Sequence, residues 1–177
     1  MRKPRVCIPG ATYHITARTN RKELLLKSAV AKDLFIQILV AAKARYSFRI
    51  DNFVIMENHV HLLFTPTGKQ SMAEIMRWIM GVYAISWNKT FKKCGRLWGE
   101  RYFSRPITGI SDYVRVYTYI DNNPVEASLV FQAEDYPWCG SFHHKKGRYD
   151  IIDPMPPWML PGRERNGQIV IEGQSPS

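Results

Sequence analysis

Residues 48–56 (Phe-Arg-Ile-Asp-Asn-Phe-Val-Ile-Met) and 59–65 (His-Val-His-Leu-Leu-Phe-Thr) are two runs of strand-forming residues separated by Glu57 and Asn58 alone. A connection that short joins antiparallel neighbours, so the middle of the chain must be a hairpin and the rest must cover it. Residues 11–18 alternate, favour extended backbone and follow the turn signal Pro9-Gly10, which predicts a further strand. Over residues 28–45, Val30, Leu34, Ile38, Ala41 and Ala42 recur at helical spacing behind Ser28, a suitable N-cap. Ser71 with Glu74 makes a capping-box sequence ahead of Ile75, Trp78, Ile79, Val82 and Ile85, predicting a second helix to about Lys89–Phe91. Residues 106–110 predict a short strand. Asp112 opens a third helix over about 112–122, which should yield before Pro124, with a short helical turn over 124–130. Pro154, Pro156, Pro157 and Pro161 exclude regular structure over 150–162, and the last fifteen residues, polar and without period, read as a flexible tail.

The order strand, helix, hairpin, helix, strand, helix predicts an α+β fold. It is a ferredoxin/RRM-like sandwich with a central, mainly antiparallel sheet, helices on one face and the other face available to a ligand. With 177 residues, 45% of them hydrophobic, the chain has enough apolar material for one core, which excludes wholesale disorder. No apolar run approaches the ~20 residues that span a bilayer. No apolar stretch follows Met-Arg-Lys-Pro-Arg, so no secretory signal and a cytoplasmic location are expected. Cys7, Cys94 and Cys139 are too few and too scattered for a disulfide framework or a zinc cluster.

The charge balance points to an anionic partner. Lys and Arg total 25 against 15 acidic residues, a net charge of +10. The excess is clustered. Arg2, Lys3, Arg5, Arg18, Arg21, Lys22 and Lys27 face only Glu23 within residues 1–27, and Lys89, Lys92, Lys93, Arg96, Arg101 and Arg105 face only Glu100 within 89–105. Two such segments on a basic chain fit phosphate binding, and nucleic acid is the commonest polyphosphate. Arg18, Arg21 and Lys22 beside the first strand, and Arg96, Arg101 and Arg105 in the connector, are the candidate phosphate contacts. Trp98, Tyr102 and Phe103 among them are suited either to stacking on unpaired bases or to core packing.

His59-Val60-His61 is the sharpest chemical signal. Residues i and i+2 of a strand share a face, so both imidazoles project together while Val60 points to the core. Such a pair can hold one divalent cation, although paired strand histidines also occur with no ligand. The third helix offers partners in Val-Tyr-Thr-Tyr-Ile-Asp-Asn-Asn-Pro-Val. Tyr113, Val116, Tyr117 and Ile120 form its apolar ridge, and Tyr119 lies off that ridge. Tyr119 and Asn123, four apart, share one face. Asn122 adjoins Asn123 and Tyr117 is the neighbouring tyrosine of the helix, so each is an alternative. On these residues alone Tyr119 reads as a half-buried helix aromatic and Asn123 as a C-cap before Pro124.

The segment Glu57-Asn58-His59-Val60-His61-Leu62-Leu63-Phe64 resembles the His-apolar-His motif of the single-tyrosine HUH transposases, and Tyr119-Ile120-Asp121-Asn122-Asn123-Pro124-Val125 resembles their tyrosine helix. Gly10–Thr16 with Arg18–Arg21 is similar to the family's first strand and basic turn, Leu97–Phe103 to its Trp-containing connector, and Tyr136–Ser141 to its Pro-x-Ser-Ser segment, with Cys139-Gly140 standing where Ser-Ser is usual. The likeness is strongest to the REP-associated tyrosine transposases. It spans residues 1–145, which defines a transposase domain, and leaves 146–177 as a proline-rich C-terminal extension.

The resemblance implies a metal-dependent enzyme that cleaves and rejoins single-stranded DNA beside a hairpin of REP type, with its tyrosine helix next to the His-x-His strand. Tyr119 would be the nucleophile, forming a covalent 5′-phosphotyrosine intermediate, and His59, His61 and Asn123 would hold Mg²⁺ or Mn²⁺. It also implies a monomer, with a dimer as the alternative. Two rival readings are a domesticated relative that binds DNA hairpins without cutting, and an RRM-like RNA binder. The last would need aromatic residues on the central strands, where this chain has histidines.

Overall fold

The computed structural model describes residues 7–159, 164–165 and 168–169. Strand β1 (Tyr13–Arg18) lies inside a four-stranded antiparallel sheet. On one side it pairs with β3 (His59–Pro66), which carries β2 (Phe48–Ile55) at the far edge, and on the other with β4 (Phe103–Pro106). The hairpin thus forms where its sequence requires. Its outer member is buried on both faces, and a register shift between Ile50 and Asn52 turns successive side chains of β2 to the faces where they are needed.

Helices α1 (Ala29–Arg45) and α2 (Met72–Thr90) cover one face. Ser28 accepts from the Ala31 N–H, and Ser71 and Glu74 complete a reciprocal capping box, so both N-termini end as their sequences dictate. Phe35, Leu39, Ile75, Ile79 and Tyr83 from these helices meet Ile15, Val60, Leu62 and Phe64 from the sheet in the main core. Each such side chain, fully withdrawn from water, contributes about 1.5–3 kcal/mol.

Helix α3 (Gly109–Glu126) lies on the opposite face, over β2 and β3, and only the remainder of that face is open. Its ridge of Tyr113, Val116, Tyr117 and Ile120 buries against Val54, Met56 and Leu63 as expected. Its ends differ from the expected 112–122. Asp112 sits inside the first turn and accepts from the Thr108 N–H at 3.0 Å, so the helix starts earlier. Pro124 lies within the last turn, where its missing N–H costs one helical bond, and the buried ridge carries the chain through to Glu126 instead of starting a new turn at 124–130. The short strand also falls earlier than 106–110. Residues 103–106 pair with β1 because Thr16 and His14 stand opposite Phe103 and Arg105, and Pro106 ends this edge strand without interrupting a ladder.

A short helix, α4 (Gly140–Lys145), packs against β2 and a 3₁₀ turn at Ala133–Asp135. Gly140 is required there, because a Cβ at this position would stand 2.1 Å from Asn52 Oδ1. The departure Cys139-Gly140 is therefore a packing solution of this chain. Among the described residues of the proline-rich stretch, 150–159, the chain is irregular apart from a 3₁₀ turn at Pro157–Met159. Its first part is docked, with Ile151 and Ile152 completing the main core and Asp153 paired with Lys43. Of the expected tail, only β5 (Glu164–Arg165) and β6 (Gln168–Ile169), which pair with each other, fall among the described residues. The rest of the tail, and Arg2, Lys3 and Arg5 of the first basic cluster, lie outside them.

Candidate active site

The open part of the second face is built from β1, β3 and β4 around two imidazoles. Antiparallel register sets Arg18 opposite His59, Thr16 opposite His61 and His14 opposite Leu63, so all of these side chains share one face. The His59 and His61 rings lie with centroids 4.9 Å apart and planes nearly perpendicular. Helix α3 brings Tyr119 over this pair, its ring centroid 5.3 Å from that of His61 and 5.9 Å from that of His14. The Tyr119 side chain is 43% exposed, whereas Tyr117 is buried in the α3 ridge with no hydrogen-bond partner for its hydroxyl. Of the two candidate tyrosines, only Tyr119 faces the imidazoles.

The same helix separates Asn122 from Asn123. Asn122 points to solvent. Asn123 is buried, donates from Nδ2 to the Tyr119 carbonyl at 2.7 Å, and lies close enough to His59 to act on its ring. His59, His61, Tyr119 and Asn123 therefore meet at one place, from two segments sixty residues apart in sequence.

Electrostatics keep the imidazoles neutral. Burial, reinforced by His59, His14 and Arg18, pushes His61 down to about 2. Burial and the Arg18 charge also lower His59, against a smaller opposing effect from Asn123. Neutral rings keep a lone pair for a cation. His61 Nδ1 lies 2.9 Å from His14 Nε2 and 3.0 Å from Thr16 Oγ1, while its Nε2 is buried without a hydrogen-bond partner. His59 Nδ1 is engaged by Asn58 Oδ1 at 2.7 Å. Among the described residues no three His, Cys, Asp or Glu side chains are grouped to hold a metal ion. Two imidazoles and a carboxamide would make up the donor set instead, and the orphaned Nε2 of His61 is an atom that a divalent cation would satisfy.

The basic candidates divide. Arg18 borders the site, and Arg21 with Lys22 occupies an exposed turn at its edge, where Lys22 O accepts from Asn58. Arg105 reaches the same face but forms a bidentate pair with Asp112, which also binds Arg115. Arg96 donates to the Gly99 carbonyl, and Arg101 lines a cavity with Met76 and Met80 of α2, behind the sheet. Of the three aromatics, Tyr102 and Trp98 pack with the main core and Phe103 is 60% exposed on the site face. His14, Thr16 and Asn58 also belong to the site, and their individual sequence context does not reveal it. The alternation of β1 put His14 and Thr16 on one face, and only the pairing of β1 with β3 sets that face beside His61.

The family described as "Transposase IS200 like" matches residues 7–123, a span that ends on Asn123. The fold is similar to a REP-associated tyrosine transposase solved bound to a REP hairpin, with 23% identity and a TM-score of 0.68 over 88% of this chain and 92% of that one. A Deinococcus radiodurans R1 protein described as a transposase aligns at 22% identity over 69% of this chain and 97% of that one, with a TM-score of 0.49. No curated protein matches the chain. Among the described residues no helix is long and apolar enough to cross a membrane.

Proposed function

The chain belongs to the IS200-like transposase family, and from that premise we propose that it is a single-strand DNA endonuclease and strand transferase with Tyr119 as nucleophile. Tyr119 Oη attacks the phosphorus of a phosphodiester, and the bond from phosphorus to the 3′ oxygen breaks as the new ester forms. The products are a 5′-phosphotyrosyl link and a free 3′-hydroxyl, which gains a proton as the phenol loses one. One ester replaces another, so cleavage needs no nucleotide cofactor and an incoming 3′-hydroxyl reverses it.

The observation that carries this reading is the convergence of an exposed phenol on the paired imidazoles, with ring centroids 5.3 Å apart. His59, His61 and Asn123 would hold Mg²⁺ or Mn²⁺, the nitrogen donors favouring Mn²⁺. When bound, the cation polarises the scissile phosphate. Arg18, Arg21 and Lys22 hold the DNA backbone and Phe103 stacks on an unpaired base. A hairpin substrate is the reading favoured by the solved relative, which is itself bound to one. All four central side chains come from one chain, which fits a monomer acting on cytoplasmic, nucleoid DNA.

The test is incubation of an end-labelled hairpin oligonucleotide with Mn²⁺. A covalent protein–DNA adduct that is absent in Tyr119→Phe supports the proposal. Tight binding without an adduct under either metal would assign the chain to hairpin binding without cleavage, and preference for RNA would assign it to RNA recognition.

A further inference from the structure

We propose that Asn58 is a positioning residue that holds the His59 ring in a single tautomer and ties it to the basic turn bearing Arg21 and Lys22. The inference rests on the reading of His59 as a metal ligand, and deepens it.

Asn58 is the last residue of the connection between β2 and β3, and its side chain spans two elements. Nδ2 donates to the Lys22 carbonyl at 3.0 Å, and Oδ1 lies 2.7 Å from His59 Nδ1. Only the amino end of a carboxamide can donate to a carbonyl, so Lys22 fixes which way the amide faces. Oδ1 only accepts, so His59 Nδ1 must carry the ring proton. Nε2 is left with the lone pair, the form a metal ligand requires. Free histidine side chains favour the opposite tautomer, so this bond selects against the default.

The other end of the link is a backbone under strain. Arg21 (φ 51°) and Lys22 (φ 59°) are consecutive left-handed residues, and neither is glycine. Such conformations cost about 1 kcal/mol or more each and persist only where neighbours over-determine them. Asn58 supplies much of that restraint. Its backbone carbonyl accepts from the Thr19 N–H at 2.9 Å and lies 3.0 Å from Thr19 Oγ1, and its amide holds Lys22. The turn projects two cationic side chains to solvent, so a phosphate engaged there acts on the same carbonyl that orients Asn58 and, through it, His59.

The test uses full-length, ¹⁵N-histidine-labelled protein free of metal and DNA. Wild type is expected to show His59 with Nδ1 protonated and Nε2 bare. Asn58→Leu, which removes donor and acceptor, is expected to return His59 to a mixture of tautomers and to weaken Mn²⁺ binding by about tenfold or more. Asn58→Asp keeps the acceptor and loses the donor. It should retain the His59 tautomer while amide exchange at residues 20–23 quickens. An unchanged His59 tautomer in Asn58→Leu, or loss of the tautomer with unchanged turn exchange in Asn58→Asp, would overturn the proposal. Wild type that shows the expected tautomer but does not bind Mn²⁺ would support the positioning role and overturn the metal reading, so the two fail separately.

Discussion

Asn123 donates its amide N–H back to the carbonyl of Tyr119, one helical turn earlier, at 2.7 Å. That bond commits Nδ2 to the backbone and leaves Oδ1 as the end available to the imidazole side. Candidate nucleophile and candidate third ligand are therefore set by one turn of one helix. Asn123→Leu is expected to weaken Mn²⁺ binding more than the ~10–100-fold that loss of an outer partner costs, while Asn123→Asp retains an oxygen donor and binding. Titration calorimetry on the folded variants checks this, and equal losses in both would count against the assignment.

Tyr117 provides the internal control for Tyr119. Its hydroxyl is buried without a hydrogen-bond partner, an arrangement that costs stability. Tyr117→Phe should leave DNA cleavage intact and raise stability by up to about 1 kcal/mol. Urea unfolding and an adduct assay on the same preparation read both quantities, and loss of the adduct in this variant would reopen the choice of nucleophile.

The arginines on the site face should separate by phenotype. Arg105 is engaged by Asp112, which also anchors the start of α3, so Arg105→Ala is expected to lower thermal stability. Arg18 is exposed beside His59, and among the described residues it forms no such ion pair. Arg18→Ala should keep stability, weaken single-strand binding, and reduce the slope of log affinity against log salt by about 0.7. Fluorescence anisotropy across a salt series measures the slope, and an unchanged slope would remove Arg18 from the contact set.

All five histidines of the chain, His14, His59, His61, His143 and His144, have pKa values lowered chiefly by burial, His14 to about 4. Below about pH 6.5 the unfolded chain therefore binds more protons than the native one. Stability contributed by these groups is complete above that pH and declines as pH falls toward 4. Asp121, raised by burial, acts in the opposite direction, one group against five. The urea midpoint of metal-free protein should fall between pH 7.5 and pH 5, and a flat or rising midpoint would contradict the buried, neutral histidine cluster.

Local signals in the sequence sufficed where local physics decides the structure. The hairpin follows from its short connection, α1 and α2 from Ser28 and Ser71, and the shared face of His59 and His61 from strand alternation. The buried ridge of α3, Tyr117 included, also follows from its spacing. Tertiary decisions were not readable in the same way. Pro124 signals a stop, and burial of the helix ridge overrides it. The place of β4 depends on β1 as a template, and the entry of His14 depends on which strand β1 pairs with. The engagement of Arg105 by Asp112, seven residues away, likewise appears only once β4 and α3 meet.

Gly140 links the packing of α4 against β2 to the site. Asn52, against which a Cβ at position 140 would collide, donates to the Tyr117 carbonyl and to Asp121 on the helix that carries Tyr119. Gly140→Ala should cost about 1–3 kcal/mol through overpacking. Unfolding midpoints of the two proteins test this, and an unperturbed midpoint would show that Asn52 yields without consequence.

The central claim is that the Tyr119 hydroxyl becomes the phosphate ester. It is tested most directly by mass spectrometry of peptides from protein incubated with Mn²⁺ and a hairpin-flanked oligonucleotide pool of randomised sequence. The account predicts a 5′-phosphonucleotide increment on Tyr119 and on no other residue. An increment on a different side chain, or metal-dependent cleavage that leaves no covalent adduct, would contradict it.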